Sequence, residues 1–399
     1  MLEKTKPVNK KKVAVSIFFT AFAFGLNIVG ISPVLGVINE KYQQYGTSVI
    51  QLLQTIQYLL IMVGSLMIGW LTTKISKKKI VLSGLLIIGI CGIMPFFSEN
   101  FWILVLSRIL IGFGFGITGP MNTAIAAELI PEEERAGYMG LHVVGMGIGT
   151  MVGSMLGGML AGWSYRNYYL VYLIPFIAMA GVQMLLVETP PIKTEKASDM
   201  KLNKIIYLIS FASFVHTLFI NAYSTNIGIY IAENISNNPG LAGMVTSVNA
   251  AFALVTGMCF SKISAKLKNF TLPFSILTAA VGYGMVLTVH GMVGVLILSA
   301  LCGVSLSCFM AIGAYLLSIS VEQEAVAKAG GVFSIFGGIG GLIAPIFMGN
   351  TAKFTLGENT ANNQFVIAFF GMLIFGVIAA VIMMKKRRIS KDEKIWIWC

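Results

Sequence analysis

Charge is what this sequence has least of. Of its 399 residues 11% are charged, and 16 are Asp or Glu, whereas a soluble domain carries roughly 25% charged residues. So sparse a set cannot wet the surface of a fold this large, which excludes an ordinary soluble protein. Histidine and cysteine are scarce as well, at three and five. Cys91, Cys259, Cys302 and Cys308 sit in apolar runs, Cys399 is the last residue and so no prenylation box, and no pair has a CxxC or zinc-like spacing; they read as small packing residues, with no metal site expected. His142, His216 and His290 lie in separate regions with no carboxylate nearby in sequence, and no phosphate-loop or nucleophile motif occurs, so neither a catalytic set nor a cofactor is expected. An ATP-binding domain finds no room, which excludes a primary pump without a partner. The net charge is +12, but no soluble basic-aromatic module accompanies it, so nucleic acid is not an expected partner.

What the sequence does have is apolar length. Hydrophobic residues make up 56% and the mean hydropathy is +0.83. Crossing a bilayer takes about 20 apolar residues in a helix. Runs of that kind lie near 13–38, 48–72, 79–98, 101–128, 138–161 and 167–187, and again near 204–231, 240–261, 271–289, 292–319, 327–350 and 364–384. Between the two sets is a polar stretch with Pro190 and Pro191. The expected fold is an all-α membrane protein with twelve transmembrane helices in two six-helix halves, residues 1–187 and 204–399, joined by a linker at 188–203. A barrel would show weak ten-residue alternation instead. The first run follows Lys4, Lys6, Lys10, Lys11 and Lys12; it is too long for a signal-peptide core and reads as a retained span.

Lys and Arg set the orientation. With the N-terminus in the cytoplasm, the inner side receives those lysines together with Lys74, Lys77, Lys78, Lys79, Arg135, Lys193, Lys196, Lys201, Lys204, Lys262, Lys266, Lys268, Lys328 and the tail Lys385–Arg388, Lys391 and Lys394. The outer side receives Lys41, Arg166 and Lys353. This bias predicts a multi-pass plasma-membrane protein with both termini cytoplasmic, and it explains the net charge. Trp102 and Trp163 then fall at the outer interface, and the basic tail reads as a contact for acidic lipid.

The halves echo each other. Gly69, Lys74, Ile75, Ser76 and Lys78 recur as Gly257, Lys262, Ile263, Ser264 and Lys266, and Gly149 and Gly153 recur as Gly337 and Gly341, all at an offset of about 188 residues. A parallel six-plus-six repeat is an established transporter plan.

Four segments carry a family resemblance. Gly69-Trp70-Leu71-Thr72-Thr73-Lys74-Ile75-Ser76-Lys77-Lys78-Lys79 resembles the loop signature G-x-L-a-D-r-x-G-r-k of the major facilitator superfamily, with Thr73 at the aspartate position and Ser76 at the second glycine. Arg108-Ile-Leu-Ile-Gly112-Phe-Gly114 is similar to the family's R-x-x-q-G-x-G, with Ile111 for the glutamine. Gly140, Gly149, Gly153, Ser154, Gly157 and Gly158 match the spacing of its antiporter signature G-x8-G-x3-G-P-x2-G-G, with Ser154 for the proline. The turn Pro131–Gly137 resembles its p-x-e-x-R-g. The resemblance implies the major facilitator fold, a small-molecule substrate, a cavity lined by the first, fourth, seventh and tenth spans, a cytoplasmic gate that here would use Gly69, Lys74, Lys78 and Glu128, export through the drug/proton antiporter-like group, and a monomer. Thr73 in place of aspartate removes part of the gate's usual charge network. Apart from the family, glycines three or four apart let a neighbouring helix approach closely, so Gly149, Gly153, Gly157 and Gly158 form a packing face. The acidic turn beside Lys74–Lys79 reads either as a conformational latch or as two solvated loops.

Polar residues three or four apart share a helix face. Ser16, Thr20, Phe24 and Asn27 form one stripe, Arg108, Phe115, Thr118 and Asn122 another, and Ser210, Ser213, Thr217, Asn221 and Ser224 a third, with His216 at its edge. Single hydroxyls in such stripes serve equally as helix–helix hydrogen bonds. The costlier residues, Asn27, Arg108, Asn122, His216 and Asn221, are the candidate substrate-cavity residues. Arg108 faces either a cavity or the outer interface by snorkelling. Gln51, Gln54, Gln57 and Tyr58 read as an outer vestibule or as interfacial side chains. No Asp or Glu occupies the middle of a span, which leaves no buried anion for cationic compounds and favours neutral or anionic ones. The proton carrier, if protons drive transport, is His216, whose ordinary pKa is near 6.5, or Glu128. The expected function is proton-coupled efflux of small amphipathic neutral or anionic compounds; the alternative is uptake or exchange of a small organic anion.

Overall fold

The computed structural model describes residues 9–188, 191, 203–320 and 326–392; the side chains of residues 27–29, 69, 127, 132–133, 136, 139, 318, 326–328 and 385–392 fall outside the description. Most of the expected linker, its Lys193, Lys196 and Lys201, the acidic side chains of Glu132 and Glu133, the Asn27 side chain and the basic tail therefore lie outside the described residues, as do Lys4 and Lys6.

Lipid offers the backbone no hydrogen-bond partner, so a spanning chain must satisfy its own N–H and C=O groups, and helices do this within one segment. Among the described residues fifteen α-helices occur and no strand. They are α1 (Lys10–Val29), α2 (Leu35–Lys41), α3 (Thr47–Thr55), α4 (Gln57–Lys74), α5 (Lys77–Ile93), α6 (Phe101–Thr118), α7 (Met121–Leu129), α8 (Glu132–Ala161), α9 (Ile174–Leu185), α10 (Lys204–Asn234), α11 (Pro239–Leu267), α12 (Thr271–Thr288), α13 (Met292–Ser320), α14 (Val326–Leu356) and α15 (Ala361–Asp392). Polar residues at the run boundaries start several of them. Asn9, Ser76, Asn100, Asn203 and Asn238 each accept from a backbone N–H of the first turn, satisfying donors the helix itself leaves open.

Among the described residues ten helical segments are long and apolar enough to cross a membrane. One of them, Pro239–Thr288, is 50 residues long; it contains two of the expected runs and a tight turn at Lys268–Phe270, entered through Lys268 at φ 50°. The first expected run is not among the ten. Its helix α1 begins on three lysines and ends at Gly30, where φ is 53°.

The chain divides into two compact units by contact: residues 1–30 with 59–195, and residues 31–58 with 196–399. Residues 31–58 pack in the second unit although they precede its main segment by more than a hundred positions.

In the first unit α1 lies against α8 through glycines. A methyl group at Gly149 would stand 2.0 Å from the Phe22 carbonyl oxygen, and one at Gly25 2.2 Å from that of Met146. Backbones approach this closely only where no Cβ intervenes, and the Thr150 hydroxyl donates across the contact to the Gly25 carbonyl at 2.8 Å. Side chains of α1, α5, α7 and α9, among them Ile17, Ile80, Leu85, Ile125 and Val182, close the buried apolar cluster. The second unit repeats the device between α10 and α14, where a methyl at Gly340 would stand 2.3 Å from the Phe214 carbonyl. The sequence offset pairs Gly149 with Gly337, so the contact is displaced by about one helical turn.

Candidate functional site

Arg108 on α6 is fully buried, so it does not snorkel. Its Nη1 donates to the Tyr172 hydroxyl at 2.6 Å, and its guanidinium carbon stands 5.9 Å from the Tyr172 ring centre. Tyr168 and Tyr169, also buried, belong to the same 3-10 segment, Tyr165–Leu173. The Tyr168 hydroxyl donates to the Gly30 carbonyl, and Gly92 on α5 makes room for the Tyr172 ring. Phenol oxygens accept hydrogen bonds and phenol faces attract cations, so tyrosines suit a guanidinium held out of water. Sequence reasoning missed them, although the spacing of Tyr165, Tyr168, Tyr169 and Tyr172 places them together on a helical face.

Asn122 on α7 is buried and bridges three helices. Its Nδ2 is 3.2 Å from the Ile17 carbonyl on α1 and 2.7 Å from His142 Nδ1 on α8; its Oδ1 has no partner among the described residues. His142, set aside in the sequence reading, is thus part of the same group. Asn27 lies near the end of α1, with its side chain outside the described set.

In the second unit His216 and Asn221 share α10. The His216 Nε2 lies 3.1 Å from the Ser305 hydroxyl, and its ring stacks on Phe309 with centroids 3.8 Å apart and planes 1° from parallel. His216 Nδ1 and the hydroxyls of Ser210, Ser213 and Thr217 are buried without a hydrogen-bond partner among the described residues. Unpaired buried polar atoms are costly, so a run of four along one helix is a concentration of unmet hydrogen-bonding capacity. Asn221 donates to the Thr217 carbonyl at 2.8 Å, accepts from Ser224 at 3.2 Å and hydrogen-bonds Tyr58, whose ring lies over Gly341 on α14. One turn on, the Tyr283 hydroxyl from α12 accepts from the Tyr223 N–H at 3.0 Å and lies within 3.2 Å of the Phe219 and Ile220 carbonyls. The candidate cavity residues therefore fall in two sets, Arg108 and Asn122 in the first unit, His216 and Asn221 in the second.

At the loop after α4, Glu128 pairs with Lys77, one of the four loop lysines set beside the acidic turn in the sequence. The Ser76 cap begins α5 there and turns Lys77 onto the buried face, where its side chain is 4% exposed. Lys78 instead donates to the Gln183 carbonyl at 2.8 Å, Lys74 is exposed, and Gly69 falls within α4. Glu188 accepts from the Ser76 hydroxyl at 3.1 Å and pairs with Lys79 at 3.4 Å; these contacts, the Ser76 hydrogen bond foremost, hold its carboxyl below the usual carboxylate range. Lys10 meets Glu134 at 2.6 Å. The packing glycines lie as follows: Gly149 faces Phe22, Gly153 faces Leu26 and Gly157 faces Tyr168, while Gly158 is buried and Gly140 is open. Gln51, Gln54 and Gln57 are buried, at 0%, 2% and 1% exposed. Among the described residues no group of three or more His, Cys, Asp or Glu is placed to hold a metal ion.

The sequence profile of the Major Facilitator Superfamily matches residues 17–206 and 209–395. The chain belongs to this superfamily. As a member of the superfamily it is a membrane transporter and not an enzyme. Quinolone resistance protein NorA of Staphylococcus aureus is 24% identical over 399 residues, covering 95% of this chain and 98% of that protein. A gentisate transporter of Corynebacterium glutamicum is 23% identical over 126 residues, 31% of this chain and 28% of that one. Among solved structures, a POT family transporter in complex with 5-aminolevulinic acid superposes with a TM-score of 0.75 at 15% identity, covering 93% of this chain and 96% of that one; at that identity the likeness shows the shared fold.

Proposed function

We propose that this superfamily member is a secondary active exporter, moving small amphipathic neutral or anionic compounds out of the cell in exchange for protons by alternating access. The carrying observation is its likeness, over nearly its whole length, to a quinolone resistance protein. The close α1–α8 glycine contact is consistent with the antiporter signature it resembles. Arg108 places a buried positive charge in the first unit, which disfavours cationic substrates. Asn27, Arg108, Asn122, His216 and Asn221 line the substrate path, and His216 or Glu128 carries the proton. The gate at the cytoplasmic face uses Gly69, Lys74, Lys78 and Glu128, with Lys77 added. The chain crosses the plasma membrane twelve times with both termini cytoplasmic, in halves at 1–187 and 204–399, and works as a monomer.

A second reading, uptake or exchange of a small organic anion, is favoured by the same buried cation and by the local likeness to a transporter named for gentisate. Growth and compound accumulation in cells expressing the protein, against a panel of neutral, cationic and anionic toxic compounds, separate the two. Export predicts resistance and lower accumulation for neutral or anionic members, lost in Arg108→Ala. Greater sensitivity to anionic members would establish uptake instead.

A further inference from the structure

Three helices of the first unit meet at one side-chain pair. Asn122 on α7 is 1% exposed; its Nδ2 faces the Ile17 carbonyl of α1 at 3.2 Å and Nδ1 of His142 on α8 at 2.7 Å. A carboxamide nitrogen only donates, so His142 Nδ1 accepts, and the neutral ring carries its proton on Nε2. Both Nδ2 hydrogens are used in this way, while Asn122 Oδ1 is buried without a partner among the described residues. The group satisfies the amide donors and strands one acceptor.

A proton added at His142 Nδ1 turns that atom from acceptor to donor, and it then faces a nitrogen that cannot accept. The stranded Oδ1 belongs to the same carboxamide. Rotation about its Cβ–Cγ bond is soft and roughly two-fold, so a half-turn exchanges Nδ2 and Oδ1 without moving a helix. Oδ1 then accepts from a charged ring, a stronger bond than the neutral one it replaces. The same half-turn takes the donor away from the Ile17 carbonyl and sets an oxygen before it, so the tie from α7 to the α1 backbone is lost. It leaves Nδ2 where Oδ1 was, and the stranded group changes from an acceptor to a donor.

The surrounding charges are held at the helix ends. On α8, Tyr138 stands one turn before His142 and donates to the Lys10 carbonyl at 3.2 Å; Glu134, a further turn back, pairs with Lys10 at 2.6 Å, and Arg135 donates to the Ile130 carbonyl at 2.9 Å. The first turn of α1 adds Lys11 and Lys12, and α7 adds Glu128, which Lys77 engages. The segment Tyr165–Leu173, against the other end of α8, adds Arg166, 3.7 Å from Glu99, and the tyrosines around Arg108.

We propose that His142 and Asn122 form a proton-binding site in which the carboxamide turns with the charge of the ring, holding α1 when His142 is neutral and releasing it when His142 is protonated. The site is additional to the proton carrier proposed above, His216 or Glu128, and it binds its proton whether or not transport is coupled to protons.

Nitrogen-15 NMR of histidine-labelled, full-length protein in lipid nanodiscs tests this without any substrate, so a failed transport assay leaves the test standing. The titration covers the range in which histidine ordinarily changes charge, about pH 5 to 8, and the His142 signal is identified by its loss in His142→Gln. A turning amide supports the charged ring more than the neutral one, so in Asn122→Leu the His142 midpoint is expected to fall by about one pH unit. A fixed amide, donating in both states, opposes the charge, and its removal would raise the midpoint instead. Asn122→Ser keeps a group that both donates and accepts and serves where the leucine variant does not fold; its midpoint is expected at or below that of the parent protein. A midpoint that stays or rises in Asn122→Leu, or rises in Asn122→Ser, would overturn the proposal. So would a His142 ring that keeps one protonation state throughout the titration of the parent.

Discussion

A cation within a membrane span costs about 2.5–3.5 kcal/mol by insertion scales, and Arg108 meets part of that cost with the hydroxyl and ring of Tyr172. Its bond to Tyr172 carries the guanidinium charge, and hydrogen bonds to charged groups contribute about 1.5–3 kcal/mol. Tyr172→Phe is therefore expected to lower stability by about that amount in detergent unfolding of the purified protein. Arg108→Lys should do no better, because an ammonium lacks the planar fork that reaches the phenol while resting on its ring. Equal stability of Tyr172→Phe and parent would show that the bond is incidental. The singular residue was legible in the sequence because a charge inside an apolar run stands out. Its surroundings were not, because Tyr168, Tyr169 and Tyr172 lie about 60 positions downstream and tyrosine is unremarkable at a span end. The same holds for Gln51, whose partners Asn226 and Gln364 belong to distant helices, so that nothing local distinguishes a buried amide from an interfacial one.

The helices themselves were readable because lipid leaves the backbone no alternative, and most of the runs mark them to within a few residues. The breaks at Gly30 and Ile56 were not readable: an isolated glycine inside an apolar run is common, and Ile56 carries no breaking tendency. The glycine face of α8 offers a sharp comparison. A methyl at Gly149 meets the Phe22 carbonyl, whereas one at Gly140 meets nothing within 4 Å. Gly149→Ala should destabilise by about 1–3 kcal/mol through overpacking, and Gly140→Ala should be neutral or stabilising by up to about 1 kcal/mol through helix propensity. Thermal unfolding of the two variants side by side checks both signs; the reverse order would mean that α1 and α8 do not meet in the membrane as described. Glycine spacing alone did not fix the register in the second unit, where Gly340 takes the contact, because α14 offers Gly337, Gly340 and Gly341 on neighbouring faces.

For the whole molecule, exchange against protons predicts that adding a transported neutral or anionic compound to inverted vesicles releases lumenal protons, and that a charge-neutral alternative such as anion exchange moves none; a pH-sensitive dye inside the vesicles decides. Superfamily membership was legible from motif spacing, whereas the grouping of residues 31–58 with 196–399 was not, since it depends on contacts between segments more than a hundred residues apart. The lodging of the Tyr283 hydroxyl against the backbone of α10 has a bearing on biogenesis. Synthesis proceeds from the N-terminus, so α10 leaves the ribosome and enters the bilayer before α12 exists. At that moment residues 219–223 must satisfy their own backbone as an unmodified helix. The Tyr283 contact is added afterwards, when α12 arrives, so the local geometry of α10 around Asn221 is completed by assembly and not carried by that helix alone.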